Sequence, residues 1–379
     1  MTISHAVCDT VVLIIEKDKF EIKDLDSFTP SASLVFRSRN CGTVSSYQNP
    51  SKKDLREHNF KPCLTLTKSP RVGGMSTILK ISMSLPKLIK GNNFEEVTDA
   101  DFSEIIDKLQ QKLQDMSVIV SKDTLINARV CKVDYAKNII LPRGVDCSLI
   151  ISEIEHSEFS RSLDVGRSDY RDQGHCARIH CNGWELAIYD KIRDVCQAQK
   201  SDKRAFEKDS AYQGINLDAF NGMSVLRIET RLNSSDQIRK ILSKVGEQVE
   251  TLSFSALFSS RISSKINGYF WEQVKKNRKI LALSQDNPEL LFRRLASDFK
   301  PLQALQLMGL WCGLKCVGSR ELKYILRKSV TIPKLVKKLK AMAAYSDWKE
   351  EIFEVIHDAI RENKALIIEE NLHDRKYIV

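Results

Sequence analysis

The 379-residue chain has no Walker A loop, no Gly-x-Gly-x-x-Gly, no Gly-x-Ser-x-Gly and no His-Glu-x-x-His pattern. Gly73-Gly74 is too little glycine for a phosphate loop. These absences argue against an ATPase, a dehydrogenase or a serine hydrolase. No apolar run approaches the roughly 18–20 residues that a membrane span needs, so no membrane partner is expected. The first residues show neither a basic start nor an apolar h-region, so no secretory leader is expected. Ten cysteines are scattered without a single Cys-x-x-Cys pair. Several sit in apolar patterns, where cysteine acts as a small hydrophobe. A reducing, cytoplasmic location without a disulfide framework is the expectation. Internal repeats and low-complexity tracts are also missing.

What is present is an ordinary globular composition with a basic balance. Hydrophobic residues make up 42% and charged residues 28%, and the formal net charge is +10. The length allows two or three domains. The positive charge favours a polyanionic partner, nucleic acid or an anionic membrane, and nucleic acid is the expected one.

Along the chain, residues 1–75 carry turn clusters and read as a segment of short strands wrapping a larger domain, with Val11–Ile15 as a first strand. Thr77–Leu85 is a strand by composition. The apolar spacing of Ile105, Ile106, Leu109, Leu113 and Met116 predicts a helix over 101–116. A strand from Arg129 to Ile140 follows, completing a strand–helix–strand unit with an expected right-handed crossover. Asn182-Gly183, between two β-rich runs, matches a type I′ hairpin turn. Val225–Leu232 reads as a strand, and Asn233-Ser234-Ser235-Asp236 as the cap of a helix. From there on the pattern is helical. The expected fold is α+β: an antiparallel-rich central sheet with packed helices over 76–235, a helical segment over 236–300, and a helical region over 301–379.

Three strand-like segments each hold a carboxylate among apolar residues: Asp134 in 129–136, Asp190 in 184–191, and Glu229 in 225–232. A carboxylate on a buried strand is costly unless cations or donors satisfy it. Three of them can converge on one hard divalent cation, Mg²⁺ or Mn²⁺. The two-residue period puts Arg227, Glu229 and Arg231 on one strand face, opposite Leu226, Ile228 and Leu232. A solvent-exposed face with salt bridges explains Glu229 alone about as well. His175 and His180 have the wrong spacing for a metal motif, and no zinc site is expected from them.

The order Tyr189-Asp190-Lys191, then Leu226-Arg227-Ile228-Glu229-Thr230-Arg231-Leu232, then Tyr269 in a basic helical stretch resembles the rolling-circle replication initiators of the plasmid trans-acting and filamentous-phage gene II types. The resemblance spans roughly residues 78–275. It implies a Rep nuclease-like fold that nicks and rejoins DNA at an origin through a covalent tyrosine. Asp134, Asp190 and Glu229 would hold the metal, and Tyr269 would attack the phosphate. Lys191, Arg227 and Arg231 would orient the phosphate or lower the tyrosine pKa. Tyr189 and Tyr324 are the next candidates for the nucleophile. Origin DNA is the implied partner, with a homodimer and a host helicase left open. The chain lacks the His-hydrophobic-His motif of the better-known initiators, so the metal would rest on carboxylates.

A second element is basic. Residues 315–340 hold nine Lys or Arg against one Glu. Lys323, Arg327, Lys328, Lys334, Lys337, Lys338 and Lys340 are the candidate DNA contacts, arranged as a helix-turn-helix or as a solvated helix face. Two other functions stay open: a non-catalytic DNA-binding replication or copy-control factor, and a metal nuclease that uses water.

Overall fold

The computed structural model describes residues 4–30, 44–51, 54, 59–71, 74–142, 145–155, 167–171, 174–200, 223–277, 292, 295–296, 299–326 and 347–367. Its strands are β1 (Cys8–Glu16), β2 (Glu21–Ile22), β3 (Thr29–Pro30), β4 (Val44–Gln48), β5 (Cys63–Arg71), β6 (Gly74–Ser84), β7 (Val118–Ile119), β8 (Arg129–Ile140), β9 (Arg167–Arg171), β10 (Cys176–Cys181), β11 (Trp184–Asp190) and β12 (Val225–Leu232). Its helices are α1 (Leu85–Lys90), α2 (Phe102–Asp115), α3 (Lys122–Ile126), α4 (Cys147–Glu155), α5 (Lys191–Lys200), α6 (Ser235–Lys244), α7 (Phe254–Leu257), α8 (Ser260–Asn277), α9 (Pro301–Ile325) and α10 (Asp347–Glu362).

Ten strands form one sheet in the order β3-β4-β5-β6-β1-β8-β12-β11-β10-β9, and every neighbouring pair runs antiparallel. The fold is mixed α+β with a multi-strand antiparallel sheet and packed helices. One difference from the sequence reading lies at the sheet centre. β1 inserts between β6 and β8 and pairs with both. The strand–helix–strand unit therefore brackets an N-terminal strand, and residues 8–16 are core rather than wrapping. Their near-continuous apolar run, Val11 to Ile15, is what a central strand requires. Val11 and Leu13 are fully buried.

Alternation divides the sheet into two faces. Val11, Leu13, Leu79, Ile81, Val133, Ile179, Leu186, Ile188, Leu226 and Ile228 line the first and are buried. Helices cover it. Phe270 of α8 packs on Trp184 at 4.8 Å between ring centres, and Thr230 is bonded to Asn267 of α8. α10 adds Ile352, Phe353, Ile356 and Ile360 to the same core, with Trp271 stacked on Phe353. The chain after α10 returns to the N-terminus, where Ala6 N donates to Asn363 O and Ala365 N to Ser4 O.

The β10–β11 hairpin has the expected two-residue loop, with Cys181 opposite Trp184. Gly183 takes φ +92°, while Asn182 is not among the positive-φ residues. A type I′ turn needs positive φ at both central positions, so this turn has the type II pattern instead. Asn182 O accepts from Gln237 Nε2 at 2.8 Å, a tertiary contact the local sequence does not encode. Ser234 caps α6 by accepting from Gln237 N, as its position before the helix suggests.

Residues 301–325 form a single helix, α9. Of the candidate DNA-contacting residues, Lys323 lies within α9. Arg327, Lys328, Lys334, Lys337, Lys338 and Lys340 lie outside the described residues.

Candidate functional site: a buried ion network on one sheet face

The second face of the sheet is polar where β1, β8, β12 and β11 meet. The pairings Arg231↔Asp134, Glu229↔Ala136 and Arg227↔Asn138 bring β12 against β8. On the other side Arg231, Glu229 and Arg227 stand opposite Glu185, Ala187 and Tyr189 of β11. Residues directly opposite on antiparallel strands share a face. Asp134, Glu185, Tyr189, Arg227, Glu229 and Arg231 therefore share this one.

The centre of the network is sealed from solvent, while Tyr189 and Arg231 are only partly buried. Arg227 is 1% exposed, Glu229 5% and Asp134 4%. Arg227 bridges Asp9 at 2.8 Å and Glu229 at 3.2 Å, and donates to Asn93 O and Asn138 Oδ1. Glu229 Oε1 accepts from Arg231 Nε at 2.7 Å, and its Oε2 accepts from Tyr189 Oη at 3.0 Å. Arg231 continues to Glu185 at 3.0 Å. Lys191 is fully buried, donates to Asn93 Oδ1 and pairs with Asp194 at 3.3 Å, and lies 5.9 Å from the Tyr189 ring centre.

Charge balance explains the protonation behaviour. Burial works to raise the pKa of Glu229, but Arg227 and Arg231 outweigh it and hold the carboxyl well below the usual range. Asp134 lacks such cover. Its Oδ2 lies 3.4 Å from Lys132 Nζ, and its buried Oδ1 has no hydrogen-bond partner. Burial and the neighbouring Glu229 charge push its pKa up. Burial, with Arg227 beside it, lowers the Lys191 pKa to about 8.

The structure joins some of the residues singled out by sequence and separates others. Asp134, Glu229, Arg227, Arg231 and Lys191 come together. Asp190 alternates to the helix-covered face, where it lies 3.5 Å from His175 Nδ1 and accepts from Arg193 N at the start of α5. Tyr269 sits on α8, also on the helix-covered side. It packs edge-on against Phe270, and its hydroxyl accepts from Lys244 Nζ at 3.4 Å. The sheet thus stands between Tyr269 and the Glu229 network. Tyr324 is exposed on α9.

Four members of the network escaped the sequence reading: Asp9, Asn93, Asn138 and Glu185. Alternation along β11 carries a signal for Glu185, since it shares parity with Tyr189. Asp9 carries none, because it enters through a register shift in the β1–β8 pairing between Cys8 and Thr10.

The three carboxylates expected to share a divalent ion do not fit one ion. Asp190 is on the wrong face, and both oxygens of Glu229 are already bonded. Among the described residues no group of three or more His, Cys, Asp or Glu is arranged to hold a metal. Asp134 Oδ1 is the one carboxylate oxygen of the Asp134–Glu229 pair left without a partner.

No family model matches this chain, and no curated protein and no solved structure matches it either.

Proposed function

We propose that the chain processes DNA strands in the manner of a replication initiator, nicking and rejoining an origin through a covalent tyrosine, and that the attacking tyrosine is Tyr189. One observation carries this reading: the Tyr189 hydroxyl is held against Glu229 within a cluster of Arg227, Arg231 and Lys191. Nearby cations stabilise a phenolate and the charge that develops on a phosphoryl group.

In the forward step the Tyr189 oxygen bonds to phosphorus and the 3′-oxygen leaves. The phenolic proton leaves to solvent, and the cations around Glu229 stabilise the phenolate. Lys191, fully buried 5.9 Å from the Tyr189 ring centre, adds positive charge that favours the phenolate, and the departing oxygen takes its proton from solvent. The 5′-phosphotyrosine keeps the bond energy for rejoining. Tyr189 and Arg231 are only partly buried, so they are the groups that meet the phosphate. Arg227 lies beneath them as a positioning residue. A Mg²⁺ or Mn²⁺ ion would be held by Asp134, whose Oδ1 has no hydrogen-bond partner, and would polarise the phosphoryl oxygens. The basic 315–340 segment supplies the remaining DNA affinity.

A second reading has its own support. Glu229 is saturated by two arginines and a tyrosine, which suits a DNA-binding replication or copy-control factor that uses the network only for stability. Nicking of a supercoiled circle carrying the cognate origin, with Mg²⁺, Mn²⁺ or EDTA, separates the two. The catalytic reading expects open circles from the native protein and none from Glu229→Ala, with DNA affinity retained in a gel shift. Full nicking by Glu229→Ala removes Glu229 from the site. Binding without nicking under every condition leaves the scaffold reading.

A further inference from the structure

Resting on the DNA reading above, we propose a second site on the same chain: a pocket at the end of β3 and β4 that takes one unpaired base of single-stranded DNA. The pocket has a volume of about 420 Å³ and is lined by Ser27, Thr29, Tyr47, Gln48 and Asn49. Ligand pockets of small-molecule size run from roughly 300 to 1,000 Å³, so a base and part of its sugar fit.

The wall chemistry selects the ligand. None of the described residues lining it is charged, which disfavours a phosphate or a metal ion as the group held inside. Tyr47 is 39% exposed, leaving its ring available for stacking. Asn49 adds an amide. An aromatic surface beside an amide and hydroxyls matches a planar ring whose edge carries hydrogen-bond donors and acceptors. Free hydrocarbon or sugar ligands use only part of that set.

The register ties the pocket to the ion network. Tyr47 pairs with Thr65, Thr65 with Lys80, and Lys80 with Ile14. Ser82 lies two residues further along β6 and pairs with Val12, which stands opposite Lys132. Tyr47 therefore lies on the polar face that holds Asp134. Between them run Thr65, Lys80, Ser82 and Lys132, hydroxyls and cations suited to a phosphate backbone. β4 is four strands from β8, about 19 Å at the usual strand spacing. A strand crossing this face would place a base in the pocket while its backbone reaches the network.

The test is fluorescence anisotropy of a labelled single-stranded oligonucleotide with the full chain in EDTA, so that binding is read without chemistry. Base–aromatic stacking is worth about 1–3 kcal/mol per base. Tyr47→Ala is expected to weaken binding about tenfold, while Tyr47→Phe stays near the native value. The salt slope should not change, because no phosphate contact is lost. An otherwise identical oligonucleotide made abasic throughout should bind native protein and Tyr47→Ala alike. Free adenosine, followed by saturation-transfer NMR, should show contact with the native chain that Tyr47→Ala lacks. Native-like oligonucleotide affinity in Tyr47→Ala overturns the pocket alone. A chain that binds no single-stranded DNA overturns the pocket and the DNA reading together. Adenosine binding with no effect of Tyr47 on the oligonucleotide assigns the pocket to free nucleosides and overturns its role on DNA.

Discussion

Arg227 and Glu229 sit two residues apart on β12, with Arg227 Nε 3.2 Å from Glu229 Oε2 and both side chains almost sealed from solvent. Neither charge is tolerable there alone. Burying an ion costs several kcal/mol, and a pair recovers that only with good geometry and further bonds. Asp9, Asn93, Asn138, Arg231 and Tyr189 supply those bonds.

Glu229→Gln is therefore expected to destabilise the fold by about 3–5 kcal/mol, because Arg227 loses one of its two carboxylate partners and Arg231 loses its closest one. Urea unfolding at neutral pH measures this. A loss under 1 kcal/mol would mean the network does not support the sheet.

Asp134 and Glu229 give opposite pH dependences. The lowered pKa of Glu229 contributes stability above the unfolded carboxylate pKa, lost as pH falls through the folded value. The raised pKa of Asp134 acts the other way. The fold holds its proton more tightly than the unfolded chain, so stability falls as pH rises from the unfolded pKa through the folded one. Asp134→Asn should remove that loss and raise the melting temperature by about 2 °C at pH 8, with no gain at pH 4. Melting curves at the two pH values decide it, and an equal change at both would assign the effect to packing.

Gly183 occupies φ +92°, and a Cβ there would lie 2.6 Å from Gln237 Cγ. Gly183→Ala should cost about 1–2 kcal/mol through backbone strain and displacement of the Gln237 side chain. A neutral substitution in thermal unfolding would show that the turn relaxes freely.

Replacing Lys334, Lys337 and Lys338 together by Ala should weaken DNA binding and flatten its dependence on salt, each lost phosphate contact lowering the slope by roughly 0.9. Affinity measured from low to moderate salt reads the slope directly. An unchanged slope would make these lysines a solvated surface.

Local pattern made much of this fold legible in the sequence. The two-residue period placed Arg227, Glu229 and Arg231 on one face, and apolar spacing located α2. The Asn182-Gly183 pair marked a hairpin, although its turn type differs from the expected one. Long-range register was not legible. Alternation along β11 says that Tyr189 and Asp190 face opposite ways. Only the Tyr189↔Arg227 pairing says which of them shares the Glu229 face. The insertion of β1, which brings Asp9 to Arg227, is likewise a choice among distant strands that no local signal makes. Tyr269 had the helical setting expected of a nucleophile, but that helix packs on the other side of the sheet.

Mass spectrometry of the covalent protein–DNA adduct is the most direct test of the nicking chemistry. The chain is trapped on a single-stranded origin oligonucleotide, digested with protease and nuclease, and the peptide carrying the 5′-phosphonucleotide is sequenced. The expected product is a phosphonucleotide on Tyr189, absent in Tyr189→Phe and unchanged in Tyr269→Phe. A phosphonucleotide on Tyr269 or Tyr324, or cleavage that leaves no adduct, would contradict Tyr189 as the attacking group.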